Sequence, residues 1–315
     1  MHPRPFTYEE LWNYTNAYAR AIRKEFPGAP LAGPDTTGYE ALWMTKVTSA
    51  GGIKNLPMME AFVRDIGDLY RKEGIKLLDT IDIHCYPEAS FDAERTERTA
   101  DVMLRMRSVR ELWDPSFYAE SWFLAPTFYL RYVRSLIADH APWLNLSCTE
   151  WNYLSNFDDD DIIGAVVTLD ALAVHAREGV DLSAKWTGPH KGTVAEYANL
   201  IFLDDFDGHG GSIAGATYVN VSVAAAQYSS EPLLAAHGFI SADKRTLHVL
   251  LVCRQAEGDM AVDLNLAGTP FEGSELDLYR LDDQHKSRGA PQKLSASERT
   301  ISMPPTAAAL IVARS

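Results

Sequence analysis

The chain has 315 residues, of which 46% are hydrophobic, and 29 basic against 43 acidic side chains leave a net charge of -14. That apolar content can fill a core and excludes a disordered or fibrous protein, while the acidic balance makes nucleic acid and anionic membrane surfaces poor partners. No stretch reaches the ~20 apolar residues of a membrane span, Met1-His2-Pro3-Arg4-Pro5 is unlike a secretory apolar region, and Cys85, Cys148 and Cys253 read as core thiols rather than a disulfide framework.

A helix is expected to open the chain, because Thr7 and Glu10 form a capping box and Phe6 with Leu11 stand where a hydrophobic staple would pack. Leu11, Tyr14, Tyr18 and Ile22 continue its apolar face, and Pro27-Gly28 ends it. A short strand around Pro30 to Gly33 follows, then a helix from about Pro57 to Glu73 closed by Gly74. Leu78 to His84 reads as a strand breaking off into Cys85-Tyr86-Pro87. Helices follow from about Asp92 to Leu112 and from Pro126 to Asp139, and Leu144 to Cys148 is strand again. Asp158 to Asp161 precede a helix over Ile162 to Arg177 and read as its solvated start, their charge matching the helix dipole. A strand over Val180 to Trp186 and a helix from Thr193 to Leu203 complete this alternating part.

After Phe206-Asp207-Gly208-His209-Gly210-Gly211 the pattern changes. Tyr218 to Val223, Leu247 to Val252, Met260 to Leu266, Leu276 to Leu281 and Ala308 to Val312 are short strands between turn-rich segments, which predicts an all-β domain of sandwich type. The fold class expected is therefore α/β plus all-β. Parallel strands need helical crossovers, and each strand of the first part is separated from the next by one or two helices. Four such strands are too few to close an eight-stranded barrel.

In parallel α/β folds the chemistry gathers at the carboxyl ends of the strands. Glu150 is the leading candidate there, because Leu144 to Cys148 delivers it from a buried strand into Trp151-Asn152-Tyr153. A carboxylate held beside aromatic rings suits nucleophilic attack on a sugar's anomeric carbon, whereas the plain alternative is a loop-capping or lysine-paired glutamate. His84 and Tyr86 leave the neighbouring strand one residue apart and point the same way. Trp122, in Glu120-Ser121-Trp122, and Trp186, at a strand end, are candidate stacking platforms, while Trp12 and Trp143 sit in packing contexts. No Gly-rich phosphate loop, HExxH or CxxC pair occurs, so no nucleotide cofactor or catalytic zinc is expected.

Taken together, these segments resemble glycoside hydrolase family 44. The resemblance is carried by His2-Pro3 with Thr7-Tyr8-Glu9-Glu10-Leu11-Trp12, by Leu77-Leu78-Asp79 to Ile83-His84-Cys85-Tyr86-Pro87, and by Leu112-Trp113-Asp114-Pro115 with Glu120-Ser121-Trp122. Thr149-Glu150-Trp151-Asn152-Tyr153 and Arg177-Glu178-Gly179-Val180-Asp181-Leu182 with Lys185-Trp186 extend it over essentially the whole chain. It implies the carboxy-terminal half of a (β/α)8 barrel over 1–206, holding about its last four strands, and a β-sandwich over 207–315. It further implies retaining hydrolysis of β-1,4-glucans such as cellulose or xyloglucan, with Glu150 as nucleophile at the end of the seventh barrel strand. His84, Tyr86, Trp122 and Trp186 would line the cleft, a glucan would be the partner, no cofactor or metal would be needed, and the complete protein would work in the extracellular or periplasmic space.

The family's acid/base lies in an Asn-Glu-Pro motif at the end of the fourth strand, which these residues lack. The expectation is a truncated reading frame, inactive as it stands, in preference to a natural half-protein that has lost catalysis, since a half barrel exposes strand edges. Asp35 and Glu120 are the other carboxylates expected near the mouth, neither in a matching motif. The competing reading is a noncatalytic carbohydrate-binding or scaffolding protein.

Overall fold

The computed structural model describes residues 6–87, 98–154, 157–203, 213–224, 227–228, 231–287 and 289–315. The expectations for His2-Pro3, for the helix start near Asp92 and for the segment from Phe206 to Gly211 lie outside these residues. The chain packs into two units: Met1–Glu88 with Arg110–Asn152 and Glu178–Trp186, and Ala89–Val109 with Tyr153–Arg177 and Thr187–Ser315.

In the first unit, helix α1 (Tyr8–Glu25) starts on the expected capping box, with the Thr7 side chain accepting from Glu10 N and Glu10 accepting from Thr7 N. Its packed face differs from the expected one. Tyr14, Tyr18 and Ile22 are exposed, whereas Ala19 is buried and Trp12 meets Phe62 edge-on at 6.2 Å. Phe6 packs edge-on against Tyr14 at 5.6 Å. Rows three and four residues apart form both stripes, and the one bearing Trp12 and Ala19 is the one that packs.

Strand β1 (Ala32–Thr37) leads through a π-helical turn, Glu40–Met44, to the two-residue ribbon β2 (Lys46–Val47) and β3 (Leu56–Pro57). Helix α2 (Met58–Glu73) ends on Gly74, whose φ of 72° is the left-handed conformation that glycine adopts without strain. Helix α2 packs on α4 (Tyr129–His140), and the approach is close at Gly67, where an added Cβ would stand 2.1 Å from His140 O.

Strands β4 (Thr80–His84), β5 (Asn145–Glu150) and β6 (Leu182–Ser183) join β1 in a parallel sheet of order β1-β4-β5-β6. Ile81, Ile83, Leu146 and Cys148 are buried in it, each large apolar side chain contributing about 1.5–3 kcal/mol. Strand β6 is shorter than expected. The Asp181 carboxylate takes Leu146 N at 2.9 Å just before it, and both its residues lie exposed at the sheet's edge.

In the second unit α3 (Arg98–Ser108), α5 (Ile162–Arg177) and α6 (Val194–Leu203) accompany the β-rich part. Helix α5 has the expected bounds and is buried almost all round, as its apolar sequence requires. The acidic run before it is more than a solvated start. Asp161 pairs with Arg105, and Asp159 Oδ2 takes His190 N and Nδ1 at 2.9 and 2.6 Å.

Strands β7 (Thr217–Val219), β10 (Leu234–Ile240), β11 (Thr246–Cys253), β13 (Leu276–Leu281), β14 (Gln292–Leu294) and β16 (Ala307–Arg314) form an antiparallel sheet of order β14-β13-β16-β11-β10-β7. Strands β12 (Met260–Asp263) with β15 (Thr300–Met303), and β8 (Gln227–Tyr228) with β9 (Glu231–Pro232), make small separate sheets. Leu251, Phe271, Leu276, Leu278, Met303 and Ile311 centre its core. Strand β10 escaped the sequence reading because Ala235-Ala236-His237-Gly238 carries no bulky alternation, though the strand lies between two others. All three cysteines are free and buried.

Candidate active site

Strands β4 and β5 pair in register from Thr80 and Asn145 to Ile83 and Cys148. There β5 gains one residue, so His84 faces Glu150 and Thr149 has no partner. A bulge of this kind bends its strand and re-aims the next side chain. Here it brings Glu150, His84 and Tyr86 together. Tyr86 OH donates to Glu150 Oε2 at 3.2 Å, and His84 Nδ1 lies 3.4 Å from the same oxygen. The backbone supports the arrangement, with Cys85 N donating to Glu150 O at 2.9 Å.

The Glu150 side chain is 32% exposed, so a ligand can reach it. Burial, and then the carboxylate beside it, pushes the Tyr86 phenol up to about 12. It therefore keeps its proton and acts as a donor at neutral pH. One Glu150 oxygen, Oε2, is held by both neighbours.

Beneath Glu150 the structure places Asp82, which the sequence reading passed over. It is 2% exposed and accepts Ser147 Oγ at 2.5 Å and Thr149 Oγ1. A signal was present, since a charged residue interrupts the apolar strand two places before His84, on the same face. Asp35, on β1 next to the residue paired with Asp82, lies against that carboxyl and can share a hydrogen bond with it when one of the two is protonated. Burial, then that bond and the Asp82 charge, raises it to about 6, with His84 acting against the shift and Glu150 with it. Glu120, the other carboxylate expected near the mouth, is exposed in the segment before Trp122.

Of the aromatic residues expected around Glu150, Trp151 and Tyr153 are core. Each is 1% exposed, and Trp151 Nε1 donates to Ser183 Oγ at 2.9 Å. Trp122 and Trp186 are open to solvent, at 66% and 50%. Trp122 stands edge-on to Phe123, which stacks on Tyr39 at 4.0 Å, so an aromatic group backs its ring. Trp186 is fixed by its backbone, its N donating to Trp151 O at 3.0 Å and its O accepting Asn152 Nδ2. Among the described residues no group of three or more His, Cys, Asp and Glu is arranged to hold a metal ion, and no helix is long and apolar enough to cross a membrane.

Comparison with known proteins matches residues 1–89 to the family model for glycoside hydrolase family 44. The chain is 23% identical to beta-mannanase/endoglucanase A of Caldicellulosiruptor saccharolyticus, over 96% of its own length and 24% of the relative's. It is 22% identical to endoglucanase A of Paenibacillus lautus, over 99% and 45%. The chain thus spans under half the length of these curated relatives. Among solved structures, the family 44 endoglucanase Cel44A of Clostridium thermocellum superposes with a TM-score of 0.82 at 22% identity, covering 100% of this chain and 63% of that one. A Paenibacillus polymyxa family 44 xyloglucanase, solved with xyloglucan, superposes at 0.79 with 22% identity, covering 100% and 62%. The resemblance to glycoside hydrolase family 44 read from the sequence therefore stands, its relatives are glycoside hydrolases, and the superpositions establish the fold.

Proposed function

We propose, proceeding from that family resemblance, that this chain carries the nucleophile half of a retaining β-1,4-glucan hydrolase, with Glu150 as the nucleophile and cellulose- or xyloglucan-type chains as substrates. The four-stranded parallel sheet is then the last four strands of a (β/α)8 barrel, and the antiparallel sheets are the sandwich that follows it. One observation carries the reading: Glu150 ends a buried strand, remains accessible, and has one oxygen held by Tyr86 and His84.

This geometry supports the following roles. A retaining enzyme places two carboxyls ~5–5.5 Å apart, one attacking the anomeric carbon while the other protonates the leaving oxygen and later activates water. Glu150 takes the first role. By the family pattern the second belongs to an Asn-Glu-Pro glutamate, a motif residues 1–315 do not contain. Tyr86 and His84 orient the attacking carboxylate, and Trp122 and Trp186 offer aromatic faces on which sugar rings stack. Action in the extracellular or periplasmic space belongs to the same proposal.

The test uses the chain as it stands and an activated 2-deoxy-2-fluoro-β-cellobioside whose dinitrophenolate leaves without protonation. Attack by Glu150 forms a glycosyl ester and releases dinitrophenolate, and the fluorine slows hydrolysis so that the adduct survives. Mass spectrometry should find the sugar on the peptide containing Glu150, and none in Glu150→Gln. Labelling at another carboxylate would refute the assignment. A folded chain that binds cello-oligosaccharides through its exposed tryptophans yet forms no adduct would favour the noncatalytic carbohydrate-binding reading.

A further inference from the structure

The strand that delivers Glu150 is fastened from below by a pair of carboxyl groups, and the pair sits where two irregularities of the sheet meet. The β1–β4 register slips between Pro34 and Thr36, so Asp35 is an extra residue with no partner on β4. Its φ of 56° is left-handed, a conformation that few side chains other than asparagine and aspartate tolerate. The β4–β5 register slips one step later, leaving Thr149 as the extra residue on the other side. Both extra residues turn onto the same group. Asp35 follows directly on Pro34, the residue paired with Asp82, and lies against the Asp82 carboxyl from β1, while Thr149 Oγ1 and Ser147 Oγ donate to it from β5.

Asp82 is thus the shared anchor of two bulges, and the second is the one that aims Glu150 at Tyr86 and His84. Two carboxylates can share a hydrogen bond only if one keeps its proton, because neither offers a donor when both are ionised. Asp82 already accepts two hydroxyl donors, so its oxygens serve as acceptors. Asp35 is suited to the proton. We propose that Asp35 is a positioning residue, whose protonated carboxyl clamps Asp82 and so holds the β5 bulge and the Glu150 carboxylate in register for attack. The proposal rests on Glu150 as the nucleophile only for its catalytic consequence; the clamp itself is argued from the two register slips and from the donors gathered on Asp82.

The groups facing the clamp are His84, Cys85 and Tyr86 on and after β4, with Cys148 and Glu150 on β5. Burial keeps the Cys85 thiol and the Tyr86 phenol protonated over the neutral range, so neither mimics the clamp. With Asp35 raised to about 6, the clamp is closed in mildly acidic solution and opens as the pH passes that value. Opening removes a hydrogen bond and adds a negative charge beside Glu150.

The experiment compares the intact chain with Asp35→Asn and Asp82→Asn. In Asp35→Asn the amide can still donate to Asp82 but cannot ionise. Backbone amide resonances of Thr149 and Glu150, followed by NMR from pH 4.5 to 8, should titrate near pH 6 in the native chain and lose that inflection in Asp35→Asn. In Asp82→Asn the like charge is gone, and the inflection should fall by about one pH unit or more. The labelling rate with the fluorocellobioside should decline above pH 6 in the native chain, by about threefold to tenfold at pH 8, and remain level in Asp35→Asn. An inflection near pH 6 that survives in both variants would overturn the proposal. So would parallel labelling profiles in the native chain and Asp35→Asn. Absence of labelling at every pH would strike the nucleophile reading alone, since the amide titration decides the clamp without it. Asp82→Asn keeps the test decisive should Asp35→Asn fail to fold.

Discussion

Replacing Arg254 with leucine should remove several kcal/mol from the second unit while leaving its hydrophobic core untouched. Asp170 on α5 is completely buried; Arg254 Nε and Nη2 donate to its Oδ2 at 3.1 and 2.5 Å, and His237 Nε2 lies 2.8 Å from its Oδ1. Burial alone would raise the Asp170 pKa, but Arg254 and then His237 more than offset it and hold the carboxyl well below its usual range. With Arg254 and His237 themselves only 8% and 3% exposed, solvent screens little of this. Removing one partner from such a buried pair costs about 3–5 kcal/mol, which at about 2–4 °C per kcal/mol places the fall in Tm between about 6 and 20 °C. The sign with pH is also fixed. In the native chain the depressed pKa gives stability that is present above the unfolded value of about 4 and is lost progressively as the pH falls from there through the much lower folded one. In Arg254→Leu burial is less opposed, so the difference between the two proteins should narrow from pH 7 toward pH 4. Calorimetry and far-ultraviolet circular dichroism follow the second unit, while all seven tryptophans lie in the first, so their emission reports that unit alone. The double variant Asp170→Leu with Arg254→Leu should recover much of the loss, since no unpaired charge remains. A loss below about 1 kcal/mol at pH 7 for the single variant would refute the reasoning.

Gly67→Ala should destabilise the first unit by about 2 kcal/mol or more, because the added Cβ would stand 2.1 Å from His140 O and neither helix backbone can yield easily; tryptophan emission in urea measures it. Trp122→Ala and Trp186→Ala should each weaken cello-oligosaccharide binding by about 1–2 kcal/mol in calorimetry with the melting temperature nearly unchanged, and unchanged affinity would remove them from the binding surface. Tyr86→Phe should slow fluorocellobioside labelling about tenfold by freeing Glu150 Oε2 from its phenol donor, while equal rates would show that His84 suffices.

Much of the alternating part was legible because its signals are local. The Thr7 and Glu10 pair marks the start of α1, Gly74 marks the end of α2, and the apolar run before Glu150 gives β5. That His84 and Tyr86 leave β4 on one side followed from spacing, since alternate positions leaving one strand share a side, whereas their contact with Glu150 depends on how β5 pairs with β4. Other features depend on partners distant in sequence. Nothing near Tyr14, Tyr18 and Ile22 tells that the opposite stripe of α1 packs on Phe62. Strand β10 is given by its pairing with β7 and β11, not by its own side chains. The β5 bulge is also nonlocal, because its extra residue is fixed by Asp82 on another strand. For that reason the support beneath Glu150 was invisible even though the residue itself was not.

The proposed role of Glu150 fits the contrast between its surroundings and those of Asp170. Asp170 has no exposed surface and meets a guanidinium and an imidazole, so both its oxygens are occupied by donors drawn close around the charge. A carboxylate stabilised so strongly is a poor nucleophile, since forming an ester would forfeit all of those interactions while the arginine stayed buried. Glu150 has a phenol and one imidazole nitrogen on a single oxygen, at 3.2 and 3.4 Å, and no arginine or lysine is among these contacts. Such partners orient the group without quenching it. In the proposed reaction the Glu150 charge is lost to a sugar, and the phenol then gives up a charge-assisted hydrogen bond of about 1.5–3 kcal/mol net, part of which it regains by turning to an ester oxygen or to solvent. One layer lower, Asp82 takes Ser147 Oγ and Thr149 Oγ1 from strand β5, and the proposed clamp adds Asp35. On that proposal rigidity is placed below Glu150, and the carboxylate facing solvent keeps its freedom to react.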